Sequence, residues 1–325
     1  MGEYKIAAVD LGTVSSRLVL ATVRDGAIAS SRKRTVITDL GEGVDASGRF
    51  TDGAVARVLD ACEGFMRNIA GFAPDRVCTT LTSAARDVSN GERLLRELEA
   101  LGLRPQVIPG EIEARLTFYG VAHDFPGRRI VVADSGGGST ELAVGAFAPG
   151  EPLTLERSVS LDIGCRRVTE RFLAGDPPAR DELDAAAAWV RPQFDSFWQG
   201  LGDRPDRLVA VGGTVTTLVA LVNRLEVYDS QFVHLRELAR EQVEACIDGL
   251  RGMPVAEIAA LPGIQAKRAP VILAGAVVLR ELMAAGGYDR LTVSENSLLA
   301  GMAATVYEVL AGQEPAIGWT PELSF

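Results

Sequence analysis

The sequence predicts an α/β protein made of two copies of one unit, and three observations carry that prediction. Strand-like and helix-like apolar periods alternate along most of the chain. An apolar strand that runs into Asp-x-Gly and turns back occurs twice. The balance of 47% hydrophobic and 23% charged residues over 325 residues is that of folded globular protein, and the length suits about two domains. Short β-rich runs open the chain: Lys5 to Asp10, Arg17 to Val23, Ala27 to Ser31 and Thr35 to Thr38, separated by turns that contain glycine or charge. Val55, Val58, Leu59, Cys62, Phe65, Met66 and Ile69 then fall at three- and four-residue steps, which puts them on one helix face against that sheet. Arg76 to Leu81 reads as a strand, Glu92 to Ala100 as a helix, Arg104 to Ile108 as a strand, and Glu111 to Tyr119 as a helix introduced by Gly110.

The pattern then restarts. Val131-Val132-Ala133-Asp134-Ser135-Gly136-Gly137 restates Ala7-Ala8-Val9-Asp10-Leu11-Gly12-Thr13, with a seam near residues 120–128. Glu141 to Phe147 and Leu153 to Val159 follow as strands, Asp181 to Gln199 as helices, Arg207 to Val211 as a strand, and a helix starts at Thr214. Helices are expected at Arg236 to Leu250, Val255 to Leu261, Lys267 to Ala285 and Ser297 to Leu310, with a strand from Leu291 to Val293. The tail from Gly312 is expected to fray.

Composition excludes several function classes. With 33 Lys+Arg against 43 Asp+Glu the net charge is -10, which argues against nucleic acid as a partner. The longest apolar stretch, Ala269 to Leu279, is short of the ~20 residues of a membrane span, and the start has no signal pattern, so a cytoplasmic protein without a membrane partner is expected. Cys62, Cys78, Cys165 and Cys246 form no C-x-x-C pair, and His123 and His234 are the only histidines. A metal, if used, is therefore expected to be hard and held by oxygen atoms: magnesium, manganese or calcium.

Three glycine turns carry the chemistry. Consecutive glycines at a strand end let backbone N–H groups converge on one concavity, which suits a phosphoryl group. Asp134-Ser-Gly-Gly-Gly-Ser-Thr-Glu141 offers Gly136, Gly137, Gly138, Ser139 and Thr140, with a carboxylate at each end. Asp10-Leu-Gly-Thr-Val-Ser-Ser-Arg17 adds Gly12, Thr13, Ser15 and the Arg17 guanidinium. Gly212-Gly213-Thr214 lies between a strand and a helix, where the helix N-terminus adds partial positive charge. Singly, each is an ordinary turn; together, two of them opened by Asp, they point to phosphate.

Two Asp-x-Gly hairpins and a later Gly-Gly-Thr resemble the phosphate motifs of the actin-like ATPase superfamily. Further segments resemble the exopolyphosphatase/guanosine pentaphosphate phosphohydrolase (Ppx/GppA) family in its short, two-domain form: Thr82-Ser83-Ala84-Ala85-Arg86-Asp87 with Asn90, Gly110 through Glu113-Ala114-Arg115-Leu116, Gly164-x-x-Arg167-Val-Thr-Glu170 and Gly213-Thr214-x-Thr216-Thr217. The run from Asp162 to Glu170 is most similar to actinobacterial exopolyphosphatases. The resemblance implies two actin-like (ribonuclease H-like) domains with an interdomain cleft, residues 1–122 plus about 295–325 and residues 123–294. It implies Mg2+-dependent release of orthophosphate from polyphosphate ends, or removal of a phosphate from guanosine pentaphosphate, in a homodimer; Mn2+ or K+ are the other cations considered. A binding sensor without turnover is the alternative of another class.

By the same resemblance Glu113 is the general base, Glu141 positions the water or a cation, and Asp10 and Asp134 bind the metal. Arg17, Arg86 and Arg167 contact phosphate. The plainer readings are a surface Glu113 paired with Arg115, strand-end aspartates that cap turns, and an Arg86–Asp87 ion pair. Arg32-Lys33-Arg34 and Lys267-Arg268, with Arg166 and Arg171, are the other basic clusters. Two positions depart from the family pattern: Val14 stands where an amide is usual, and Ile112 where a second glutamate precedes the base.

Overall fold

The structure, a computed structural model, describes residues 2–325. In chain order the strands are β1 (Glu3–Leu11), β2 (Ser15–Arg24), β3 (Ala27–Ile37), β4 (Arg76–Leu81), β5 (Pro105–Val107), β6 (Ile130–Ser135), β7 (Thr140–Ala146), β8 (Thr154–Leu161), β9 (Leu208–Val211), β10 (Glu237–Ala239), β11 (Arg290–Val293) and β12 (Leu323–Ser324). The helices are α1 (Val44–Ser47), α2 (Asp52–Phe72), α3 (Ser83–Arg86), α4 (Gly91–Ala100), α5 (Gly110–Ala122), α6 (Cys165–Phe172), α7 (Arg180–Trp198), α8 (Gly213–Val222), α9 (Ser230–Val233), α10 (Arg240–Leu250), α11 (Val255–Ile258), α12 (Ala269–Gly286) and α13 (Leu298–Leu310). The chain forms two units. Unit 1 runs to Arg128 and takes in Gly145–Ser158 and Asn296–Phe325; unit 2 is Arg129–Val144 with Val159–Glu295.

In unit 1 the sheet order is β12-β4-β1-β2-β3, with β5 also on β4. β1 and β2 form the expected hairpin, and β4 runs parallel to β1. Strand alternation sends Ala7, Val9 and Leu11 to a core with α2 and α4, and Ile6 and Ala8 to a second core with α5 and α13. Asp10 therefore belongs to the α5 face. α5 and α13 cross closely because glycines stand at the crossing: a Cβ on Gly301 would lie 1.8 Å from the Leu116 carbonyl oxygen, and one on Gly120 2.3 Å from that of Ser297.

Unit 2 repeats the hairpin as β6–β7 in a sheet of order β10-β11-β9-β6-β7-β8. Val131, Ala133, Leu142 and Val144 enter its core, so Asp134 and Glu141 share the opposite face. Helix α12 runs through this core. The helical stretch Ala266–Gly286 is long and apolar enough to cross a membrane by length and composition, beyond the shorter run expected, yet it is mostly buried within the unit.

Several expected elements are corrected. The runs Ala27 to Ser31 and Thr35 to Thr38 are one strand, β3; it pairs only with β2 at the sheet edge, so the intervening Arg32-Lys33-Arg34 stays in solvent without interrupting it. The expected helix start at Arg236 is strand β10, which pairs with β11 and buries Leu238 alone, and α10 begins at Arg240. The helix from Val255 stops at Ile258, and a tight helical turn, Ala266–Arg268, precedes α12. The tail does not fray: Leu323 and Ser324 pair with Cys78 and Val77, Ser324 Oγ accepts from Arg104 N–H at 2.8 Å, and Ile317 is buried.

His123, a histidine without a motif, ends α5 against the rings of Tyr119 and Phe147, with Nδ1 2.7 Å from the Tyr119 carbonyl oxygen. Burial holds its pKa below the ordinary 6.5 despite that contact and nearby Asp124. A depressed folded-state pKa means that the unfolded chain takes up the proton first, so stability is full above the unfolded pKa and is lost as pH falls through the folded one. Thermal unfolding at about pH 7.5 and about pH 5.5 should show a drop in Tm that shrinks in His123→Phe.

Candidate functional site

In both hairpins the glycine of Asp-x-Gly closes the turn in the same way. Gly12 N–H donates to the Ser15 carbonyl and Gly136 N–H to that of Ser139, each at 3.0 Å. The strands differ in what they set beside the aspartate. In unit 1 Asp10 is paired across the hairpin with Arg17, whose Nη2 and Nε reach Asp10 Oδ2 at 2.9 and 3.1 Å. Asp10 is fully buried, and the guanidinium supplies the positive charge that a buried carboxylate needs. Thr13 and Val14 use their carbonyls within the unit: Gly41 N–H donates to Thr13, and the Thr38 and Asp39 amides to Val14.

The position of unit 2 that corresponds to Arg17, seven residues after the aspartate, is Glu141. Asp134 and Glu141 are both buried on one sheet face, a donor set of two carboxylates where the first hairpin has an ion pair. Such a set fits a hard, oxygen-ligated cation. Glu141 Oε1 accepts from Ser139 Oγ at 2.6 Å and from Ser160 Oγ at 2.7 Å. Among the described residues no group of three or more His, Cys, Asp or Glu side chains is gathered for a metal.

The glycine loop is held from one side by α6. The amides of Cys165, Arg166 and Arg167 donate to the carbonyls of Gly136 and Gly137 at 2.9 to 3.2 Å, and Arg167 Nε donates to that of Gly138 at 2.9 Å. A trans peptide sends its N–H opposite its C=O, so the amides of Gly137, Gly138 and Ser139 face away from α6, in the manner of an anion nest. Gly164 makes the approach possible: a Cβ there would lie 2.2 Å from the Gly137 oxygen. Thr140 Oγ1 donates to the Ile163 carbonyl at 2.6 Å, tying the far end of the loop to the same segment.

The third turn joins this loop within unit 2. Gly212 has φ 104°, and a Cβ on it would stand 3.1 Å from Asp134 Oδ1. Gly213 opens α8 beneath the guanidinium of Arg268, whose Nη1 would be 1.8 Å from a Cβ at that position. Thr214 is buried against Gly275 and hydrogen-bonds with Cys165, whose thiol pKa is pushed up by burial and pulled back by Arg268 and Arg166. Burial pushes Cys62 and Cys78 up to about 12, so neither is a nucleophile at neutral pH.

Glu113 is no surface glutamate. It is 7% exposed in the first turn of α5, and Arg86 Nη1 donates to its Oε2 at 2.7 Å while also reaching the Ile108 carbonyl at 3.1 Å. Arg115 pairs instead with Glu111. Ile112, the departure from the family pattern, packs against the α5–α13 core. Among the basic clusters, Arg34 serves α2 through Gly64 and Asn68, and Arg171 lies over Trp189 at 5.1 Å. Ser160 carried no mark in the sequence, since it lies outside every motif; Arg268 was marked only as part of a basic cluster, and its seat on Gly213 joins segments far apart in the chain.

Comparison with known proteins adds an independent line. The chain matches the Ppx/GppA phosphatase family over residues 19–307. It is 36% identical over 320 residues to a Mycobacterium tuberculosis protein named exopolyphosphatase 2, covering 93% of this chain and 98% of that one. A crystal structure of an exopolyphosphatase-like protein superposes with a TM-score of 0.88 at 32% identity, covering 95% of this chain and 100% of the other. The Ppx/GppA protein of Aquifex aeolicus does so with a TM-score of 0.76 at 30% identity, covering 96% and 99%.

Two substitutions probe the geometry. Gly164→Ala should cost about 1–3 kcal/mol in urea unfolding, because the loop or α6 has to shift. Arg86→Ala should cost roughly 2 kcal/mol by leaving Glu113 buried beside its lost partner, and part of that loss should return in the Arg86→Ala/Glu113→Ala double variant.

Proposed function

This chain belongs to the Ppx/GppA phosphatase family, and on that premise we propose that it is a magnesium-dependent exopolyphosphatase, releasing orthophosphate from the ends of inorganic polyphosphate. The observation that carries the reading is the loop Gly136-Gly137-Gly138. Its carbonyls are taken by α6 and Arg167, and the amides of Gly137, Gly138 and Ser139 are turned the other way. A terminal phosphoryl group is a ligand that such a nest accepts. The mycobacterial relative named exopolyphosphatase 2, similar along almost its whole length, supports polyphosphate as the substrate.

In this reading the amides of Gly137, Gly138 and Ser139 and the hydroxyl of Thr214 hold the terminal phosphate, the Ser139 hydroxyl being given to Glu141. Arg268, seated on the α8 N-terminus, meets its negative charge. Asp134 and Glu141 would hold the magnesium ion, and Asp10 Oδ2 is held by Arg17. Bound there, magnesium would neutralise charge on the phosphate oxygens. Glu113 takes the proton from the attacking water; the water oxygen bonds to the terminal phosphorus as the bond to the bridging oxygen breaks, and the shortened chain leaves as an oxyanion. Arg86 orients the Glu113 carboxylate for that transfer.

The test is orthophosphate release from long-chain polyphosphate by the purified protein with magnesium, with guanosine pentaphosphate as a competing substrate. Glu113→Ala should lower kcat by about 10²–10⁴-fold, and chelation of the divalent cation should abolish turnover. Preferential release from guanosine pentaphosphate would replace polyphosphate with the alarmone. Tight binding of polyphosphate with no release from either substrate would overturn the hydrolase and leave a sensor.

A further inference from the structure

Glu141 is 2% exposed, and two serine hydroxyls donate to its Oε1. Ser139 belongs to the glycine loop. Ser160 does not: it stands on β8, nineteen residues after Glu141 along the chain. Strand alternation explains how it arrives. Val159 and Leu161 pack against the unit 2 core, so Ser160 points to the opposite face, the one that carries Asp134 and Glu141. Its Oγ–Oε1 distance of 2.7 Å and that of 2.6 Å from Ser139 are those of hydroxyls donating to an ionised carboxylate. With two donors on one oxygen, the carboxylate plane is fixed and the direction of the other oxygen with it.

We propose that Ser160 is a positioning residue for the divalent cation: with Ser139 it clamps Glu141 Oε1 and thereby aims the carboxylate at the metal. This rests on the reading above that Asp134 and Glu141 hold a hard cation. Outer residues that orient a metal-binding carboxylate commonly set metal affinity by about 10–100-fold. Ser160 touches neither substrate nor cation in this account. Its hydroxyl is the whole of its contribution, so threonine, which keeps the hydroxyl and suits a strand, should substitute for it.

The experiment measures Mn2+ binding to the full-length protein by electron paramagnetic resonance, without substrate, in the unsubstituted chain, Ser160→Ala, Ser160→Thr and Glu141→Gln. Thermal unfolding of each verifies that it is folded. The expected result is a Kd for Mn2+ raised about tenfold in Ser160→Ala, close to the unsubstituted value in Ser160→Thr, and binding lost in Glu141→Gln. In turnover, Ser160→Ala should need more magnesium to reach the same kcat, with KM for polyphosphate unchanged. Ser160→Ala that binds Mn2+ as tightly as the unsubstituted protein would overturn the role of Ser160 alone. An unsubstituted protein that binds Mn2+ no better than Glu141→Gln would overturn the cation site itself, and the role of Ser160 with it.

Discussion

Buried negative charge is the constraint on which the rest of the structure depends. Asp10, Glu113, Asp134 and Glu141 are all withdrawn from water, and an ionised carboxylate in that setting costs several kcal/mol unless charge or hydrogen bonds answer it. Unit 1 answers with arginine, Arg17 for Asp10 and Arg86 for Glu113. Unit 2 answers Glu141 with two serine hydroxyls. The hairpins are alike in backbone and opposite in charge at one position, Arg17 against Glu141. That single difference separates a hairpin in which an arginine faces the aspartate from one in which two carboxylates share a face.

Close backbone approach is the second requirement, and glycine meets it where a side chain would collide. Gly164 admits α6 to the glycine loop, Gly212 admits the α8 turn to Asp134, and Gly120 with Gly301 admits α13 to α5. The last contact bears on the candidate site as well as on packing. Glu113 projects from the first turn of a helix locked along its length to a buried neighbour, and a side chain on such an element keeps its place better than one on a loop. Ile112, beside it, has become part of that packing, so the departure from the family pattern exchanges a charge for core.

The hairpins, their glycines and the candidate base were legible in the chain because local chemistry requires them: strand-end Asp-x-Gly leaves few conformations open, and Glu113 sits in a recognisable segment. The helix on Val55 to Ile69 was legible because its apolar period is long and regular. Edges were less so. Strand β3 is continuous through Arg32-Lys33-Arg34 because an edge strand tolerates charge on its open side, and β10 takes its form from the neighbouring β11 rather than from its own three residues. The tail is ordered by β4, a partner more than two hundred residues earlier.

By itself the sequence determined the α/β class, the repeated hairpin, the glycine turns and the family, since each follows from local spacing or from motifs in order. Only the tertiary structure decided the pairings. Arg86 took Glu113 and Arg115 took Glu111; Arg268 took its place on Gly213, and Ser160 took Glu141. A carboxylate in sequence carries no sign of its partner, because the choice is made by which strands and helices bring a donor within about 3 Å of it. That is a property of the fold, and it is what turns a set of motif residues into an oriented site.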